Sequence, residues 1–129
     1  MKPIVYKLTF ILLLVSFSSV IVTAQTAEKG TATINSAMVI TLNTETPLVA
    51  DYDFDISAMH FVSKEAAEEY FAKCRDNIVN YTVDFEKHTA TIHLMLEFME
   101  PRGWTVADYN AYLAKVSSRY QSVYSVVNE

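Results

Sequence analysis

The sequence predicts an α+β domain, a single sheet backed by helices. Three observations carry this. Short runs alternate apolar and polar residues with period two, around Tyr52–Ala58, Asn80–Phe85 and Ala90–Glu97. Two longer runs, from Ser63 to Ile78 and from Thr105 to Val116, carry apolar residues at helical spacing instead. The composition is that of a packed chain: of 129 residues, 51% are hydrophobic and 12% aromatic, with two glycines and three prolines, which excludes collagen-like, low-complexity and disordered classes.

The elements follow in chain order. Residues 1–24, MKPIVYKLTFILLLVSFSSVIVTA, read as a signal peptide. Lys2 and Lys7 start it, no charge follows until Glu28, and Val22 and Ala24 fit a cut before Gln25. The apolar run approaches the ~20 residues that span a bilayer, so an uncleaved anchor is the competing reading. With cleavage, no stable membrane insertion is expected. Losing two lysines and no acid moves the formal charge from −5 to −7. Residues 25–50, polar and rich in Thr and Asn, read as a tether, with Met38–Leu42 as a candidate extra edge strand.

From residue 51 the globular part begins. Phe54, Ile56 and Ala58 alternate with Asp53, Asp55 and Ser57 in a half-buried strand. Ser63 is placed to cap a helix with Glu65 in its first turn, and Ala67, Tyr70, Phe71, Cys74 and Ile78 form its apolar stripe. Two alternating runs joined through Glu86–Lys87–His88 read as a hairpin. Thr105, with Asp108 three residues on, marks a capping box for a second helix whose stripe is Val106, Tyr109, Leu113 and Val116.

The C-terminal stretch RYQSVYSVV is ambiguous. Its Val, Tyr and Ser favour a strand, while Val116, Tyr120, Val123 and Val127 continue the helical spacing. We read a helix ending near Ser118 and then a final strand. The order becomes βαββαβ, the ferredoxin-like arrangement over residues 51–129, an antiparallel sheet with two helices on one face and the other face open.

Residues 54–116 resemble the heavy-metal-associated domain family. The stretch NIVNYTVDFEKHTATIHL, Asn77 to Leu94, is similar to the family's segment after its first helix, and GWTVADYNAYLAK, Gly103 to Lys115, to its second helix. The family holds soft metal ions with a CxxC pair at the start of helix 1. In this register the pair falls on Ser63 and Ala66, within FVSKEA, and Phe61 takes the place of a methionine. Two thiolates are what grip Cu(I) or Zn(II); a hydroxyl and a methyl do not replace them. The resemblance therefore implies the fold, and the residues speak against the family's usual activity. The link from Leu96 to Trp104 is long for this pattern.

Other candidate chemistry is sparse. The single cysteine, Cys74, lies on an apolar stripe and reads as a buried structural residue. It also excludes a disulfide framework or a cysteine cluster. His60, His88 and His93 with Met59, Met95 and Met99 supply imidazole and thioether, which suit copper; His60, His93 and Met95 are the candidate ligands. The only glycines are Gly30 and Gly103, so no phosphate loop is present, and no glycine-framed nucleophile appears. We therefore expect neither a catalytic residue nor a cofactor. An acidic chain does not suit nucleic acid, whose phosphates need a basic face.

Strand alternation leads to one surface. In the usual sheet order of this arrangement, the open face carries Asp53, Asp55, Ser57, Thr91, His93, Met95, Asn80, Thr82 and Asp84. Asp53, Asp55, Asp84 and His93 form a candidate partner face for a cationic protein, and His93 would make docking respond to pH. The expected function is an exported, periplasmic or extracellular, binding module for another envelope or secreted protein. An exported copper-binding protein using His and Met is the alternative, and a small enzyme comes third.

Overall fold

The computed structural model of the protein describes residues 28–129. The signal-peptide reading of residues 1–24 lies outside that range. The described chain is α+β, a five-stranded mixed sheet with helices. Strands are β1 Gly30–Ile34, β2 Ile40–Leu42, β3 Asp51–Asp55, β4 Val79–Asp84 and β5 Thr89–Leu94. Helices are α1 Lys64–Cys74, the short α2 Leu96–Met99 continued by a 3₁₀ turn Glu100–Arg102, α3 Val106–Lys115 and α4 Ser117–Val127.

The sheet runs β2-β1-β3-β5-β4. α1 carries the chain from β3 over to β4, and the β4–β5 hairpin returns β5 between them, antiparallel to both. Local signals explain these elements. Ser63 caps α1 by accepting the Ala66 N–H at 3.1 Å. The hairpin turns through Phe85–His88, where His88 takes a left-handed φ of 55°. Thr105 and Asp108 form the expected capping box, each side chain accepting the other's backbone N–H.

Two expectations are corrected. The stretch read as a tether enters the sheet at Gly30, where β1 pairs parallel with β3; β2 forms the outer edge, within the Met38–Leu42 run offered as an extra edge strand. This is why the sheet is mixed and five-stranded rather than antiparallel throughout. β1 occupies the flank of β3, and the segment expected as a final strand is instead helix α4. α4 packs on α1, burying Tyr120, with Val123, Tyr124 and Val127 half-buried against the core. Tertiary burial of the 3.6-residue stripe outweighs the strand preference of Val and Tyr.

The core lies between one sheet face and the helices. Tyr52, Phe54, Tyr81, Ile92 and Leu94 meet Tyr70, Phe71, Tyr109, Leu113 and Tyr120. The aromatic rings pack edge-on or tilted, as in Phe54–Phe71 with centroids 6.1 Å apart and Tyr70–Phe71 at 4.8 Å. Among the described residues, no helix lies on the opposite sheet face. Among the described residues, no helix is long and apolar enough to cross a membrane.

Candidate functional site

The register assembles the open face as alternation required. Across β3, β5 and β4, Asp51 faces His93 and then Asn80; Asp53 faces Thr91 and then Thr82; Asp55 faces Thr89 and then Asp84. Asp53, Asp55, Asp84 and His93 therefore share one surface, with Asp51 added. The residues immediately next to them along each strand, such as Tyr52, Phe54, Tyr81 and Ile92, point into the core, so each strand buries one side and wets the other.

Two polar chains brace this face. His93 Nδ1 lies 2.8 Å from Asp51 Oδ1, and its Nε2 lies 3.0 Å from Thr82 Oγ1. The Thr91 hydroxyl donates to Asp53 Oδ1 at 2.6 Å, and Lys29 Nζ stands 3.7 Å from the same oxygen. Asp55 accepts the Ser57 amide at 2.7 Å and its hydroxyl, and these bonds hold its carboxyl below its ordinary range, with His88 a lesser cause. Asp84 accepts the Lys87 N–H at 3.2 Å in the hairpin turn. The Asp51–His93–Thr82 chain orders a carboxylate, an imidazole and a hydroxyl as nucleophile activation does. Here it spans three strands and ties them side chain to side chain.

The corner to which the family resemblance assigns a metal is closed by other means. The Ser63 hydroxyl is committed to the Ala66 amide, so the two positions of the thiolate pair cap α1 with each other. Phe61 stacks on Tyr70 and Tyr124, each 5.4 Å away between centroids. α4 then ties down the loop. The Tyr124 hydroxyl accepts the His60 N–H at 2.8 Å and donates to the His60 carbonyl at 2.9 Å, and Asn128 Oδ1 accepts the Val62 N–H at 2.9 Å.

The suggested ligands His60, His93 and Met95 are not brought together. His93 stands opposite Asp51 at the start of β3. His60 lies past the far end of β3, near the hairpin turn. Instead, Met59, His60 and His88 line one cleft of about 250 Å³ with Ser57, Phe61 and Phe85. Among the described residues, no group of three or more His, Cys, Asp or Glu is placed to hold a metal ion. Cys74 is fully buried, and burial pushes its thiol up to about 12.

Sequence reasoning missed a second cleft. Leu48, Leu96, Met99, Trp104 and Tyr109 line an open, largely apolar cleft of about 360 Å³, with Glu97 and Glu100 also lining it. The one signal in the sequence was the unusual length of the Leu96–Trp104 link, which folds as α2 and the 3₁₀ turn. Gly103 closes that turn at φ 62°, its N–H bonded to the Glu100 carbonyl.

Set against known proteins, the chain matches no family model, no curated protein and no solved structure.

Proposed function

We propose that this protein is an exported binding module whose open sheet face docks a cationic segment of another envelope or secreted protein. The observation that supports it is the register. Four aspartates, Asp51, Asp53, Asp55 and Asp84, stand with Lys29 and His93 on one face that carries no helix among the described residues. The strands bracing them are tied side chain to side chain, so the charges are presented on a rigid platform with little ordering cost on binding. Such complementarity gives orientation and on-rate, and its strength falls with salt. The scaffold reading that goes with it is a ferredoxin-like β3–α1–β4–β5 block whose second half is rebuilt by β1 and α4. The protein is on this reading not an enzyme. The Asp51–His93–Thr82 chain serves as a brace, and neither Thr82 nor His93 lines the two clefts described above.

Calorimetric titration with a lysine-rich peptide at low salt tests the docking reading. The wild type should bind, and Asp55→Lys combined with Asp84→Lys should lose most of the affinity. Equal binding by both proteins would overturn it.

A second reading rests on a separate observation, the cleft that gathers Met59, His60 and His88. Two imidazoles and a thioether are a donor set suited to copper. Titration with Cu(I) and Cu(II) decides it: saturable heat lost in His60→Ala with His88→Ala supports a site, and no heat at micromolar protein ends the idea.

A further inference from the structure

The cleft between α2, the 3₁₀ turn and α3 is unlike the rest of the surface. Its walls are Leu48, Leu96, Met99, Trp104 and Tyr109, and the indole of Trp104 stands edge-on to the Tyr109 ring with centroids 5.2 Å apart. Leu48 at its border is 37% exposed although apolar. Gly103 leaves it open on one side: a Cβ built there meets nothing within 4 Å. The left-handed φ of 62° explains why glycine stands at this position, and the bare backbone adds room. About 360 Å³ falls within the range of small-molecule pockets.

The charge around this apolar space has one sign. Glu97 and Glu100 line it, and neither enters a salt bridge or a side-chain hydrogen bond among the described residues. Arg102, on the same turn, does not line the cleft. An anion entering here would face two carboxylates. A neutral apolar molecule would leave them unused. An ammonium on an apolar body satisfies both features, since its carbon skeleton fills the aliphatic and aromatic walls while its charge meets the carboxylates and the indole face.

We propose that this cleft binds a small organic cation, an aryl- or alkylammonium, independently of the open sheet face. Trp104 is the only tryptophan in the chain, so its fluorescence reports on the cleft alone. Titrating the protein with phenethylammonium, and in parallel with the neutral 2-phenylethanol and the anionic 3-phenylpropionate, tests the assignment. The expected result is a saturable change in Trp104 emission with the ammonium, and at least several-fold weaker responses with the other two. Glu97→Gln with Glu100→Gln should weaken the ammonium about five-fold and leave 2-phenylethanol unchanged. Asp55→Lys should change nothing, which separates this site from the docking face. Equal responses to all three probes, or none that saturates, would overturn the proposal. So would Trp104 emission that changes with protein concentration alone, which would assign the cleft to a second copy of the chain.

Discussion

The hydroxyls of Tyr81 on β4 and Tyr120 on α4 share a buried hydrogen bond 2.8 Å long. Their rings also meet edge-on, with centroids 6.1 Å apart. This pair is the point at which the C-terminal segment commits to lying over the sheet as a helix rather than joining it as a strand. Among the described residues, each phenol is the other's only hydrogen-bond partner. Tyr120→Phe should therefore cost about 1–2 kcal/mol, because it strands the Tyr81 hydroxyl, while Tyr81→Phe with Tyr120→Phe should cost less than the two single changes added together. Urea unfolding of the three variants measures the coupling.

Asp76 is the second anchor of the C-terminal helices. Its carboxylate accepts the Ile78 and Val79 N–H groups at 2.8 and 2.9 Å, receives the Tyr112 hydroxyl, and meets Arg119 at 3.3 Å. Asp76→Ala leaves the two amides and the phenol without an acceptor and should cost about 2–3 kcal/mol. Arg119→Met, which breaks a partly exposed ion pair, should cost under about 1 kcal/mol. A ranking in the opposite order, from thermal or urea melts, would show that the ion pair rather than the amide-capping holds this junction.

Gly30 carries a packing constraint. A Cβ at this position would stand 2.4 Å from two carbons of the Tyr52 ring, which lies across β1 from the paired strand β3. The fully buried ring cannot move aside without disturbing its neighbours. Gly30→Ala should destabilise the fold by roughly 1–3 kcal/mol, against the usual gain of an alanine in a strand. Ala32→Gly is the comparison: it loses a half-buried methyl and adds the backbone-entropy cost of a glycine in a strand, about 0.5–1 kcal/mol, with no steric clash.

Stability should fall in alkali. Burial pushes the Cys74 thiol up to about 12, and raises the Tyr70, Tyr81 and Tyr120 hydroxyls well above their ordinary value. Each is an acid whose proton is held more tightly in the folded state. Below its ordinary value the group costs nothing. As pH rises past that value, near 9 for the thiol and 10 for the phenols, the unfolded chain releases the proton and the folded chain keeps it. Unfolding free energy should then drop by up to about 1.4 kcal/mol per pH unit for each group, up to its folded value. Urea melts from pH 8 to 11 should show the decline beginning near pH 9. Native Cys74 should meanwhile react slowly with Ellman's reagent at pH 8, and fast, complete reaction would contradict its burial.

The parts of the fold that were legible share one property: short-range chemistry decided them. Ser63 and the Thr105–Asp108 box announced their helices, and alternation set Asp53 and Asp55 on one side of their strand and Thr91 and His93 on one side of theirs; bringing the two strands together took the sheet order of the ferredoxin-like arrangement. What was misread depended on long-range contacts. In Gly30–Ile34 the alternation Gly30, Ala32, Ile34 against Thr31 and Thr33 was present, but its polar character suggested a tether. Pairing with β3, and the fit of Tyr52 over Gly30, makes it a strand. β2 is held at the edge by Asn110, whose side chain accepts the Leu42 N–H at 2.7 Å and donates to its carbonyl at 3.1 Å, a contact 68 residues distant in sequence. In α4 two signals conflicted, and Tyr81 and Phe61 across the core decided between them. The Trp104 cleft has no local motif; it exists because an irregular link wraps beside α3.

The most direct test of the docking account is a map of amide shifts on the isotopically labelled protein titrated with a lysine-rich peptide. The account predicts perturbations concentrated on Asp51–Asp55, Thr82–Asp84 and Thr89–His93, fading as salt is raised. Perturbations concentrated instead on the other acidic surface, Glu65, Glu68 and Glu69 of α1, would contradict it.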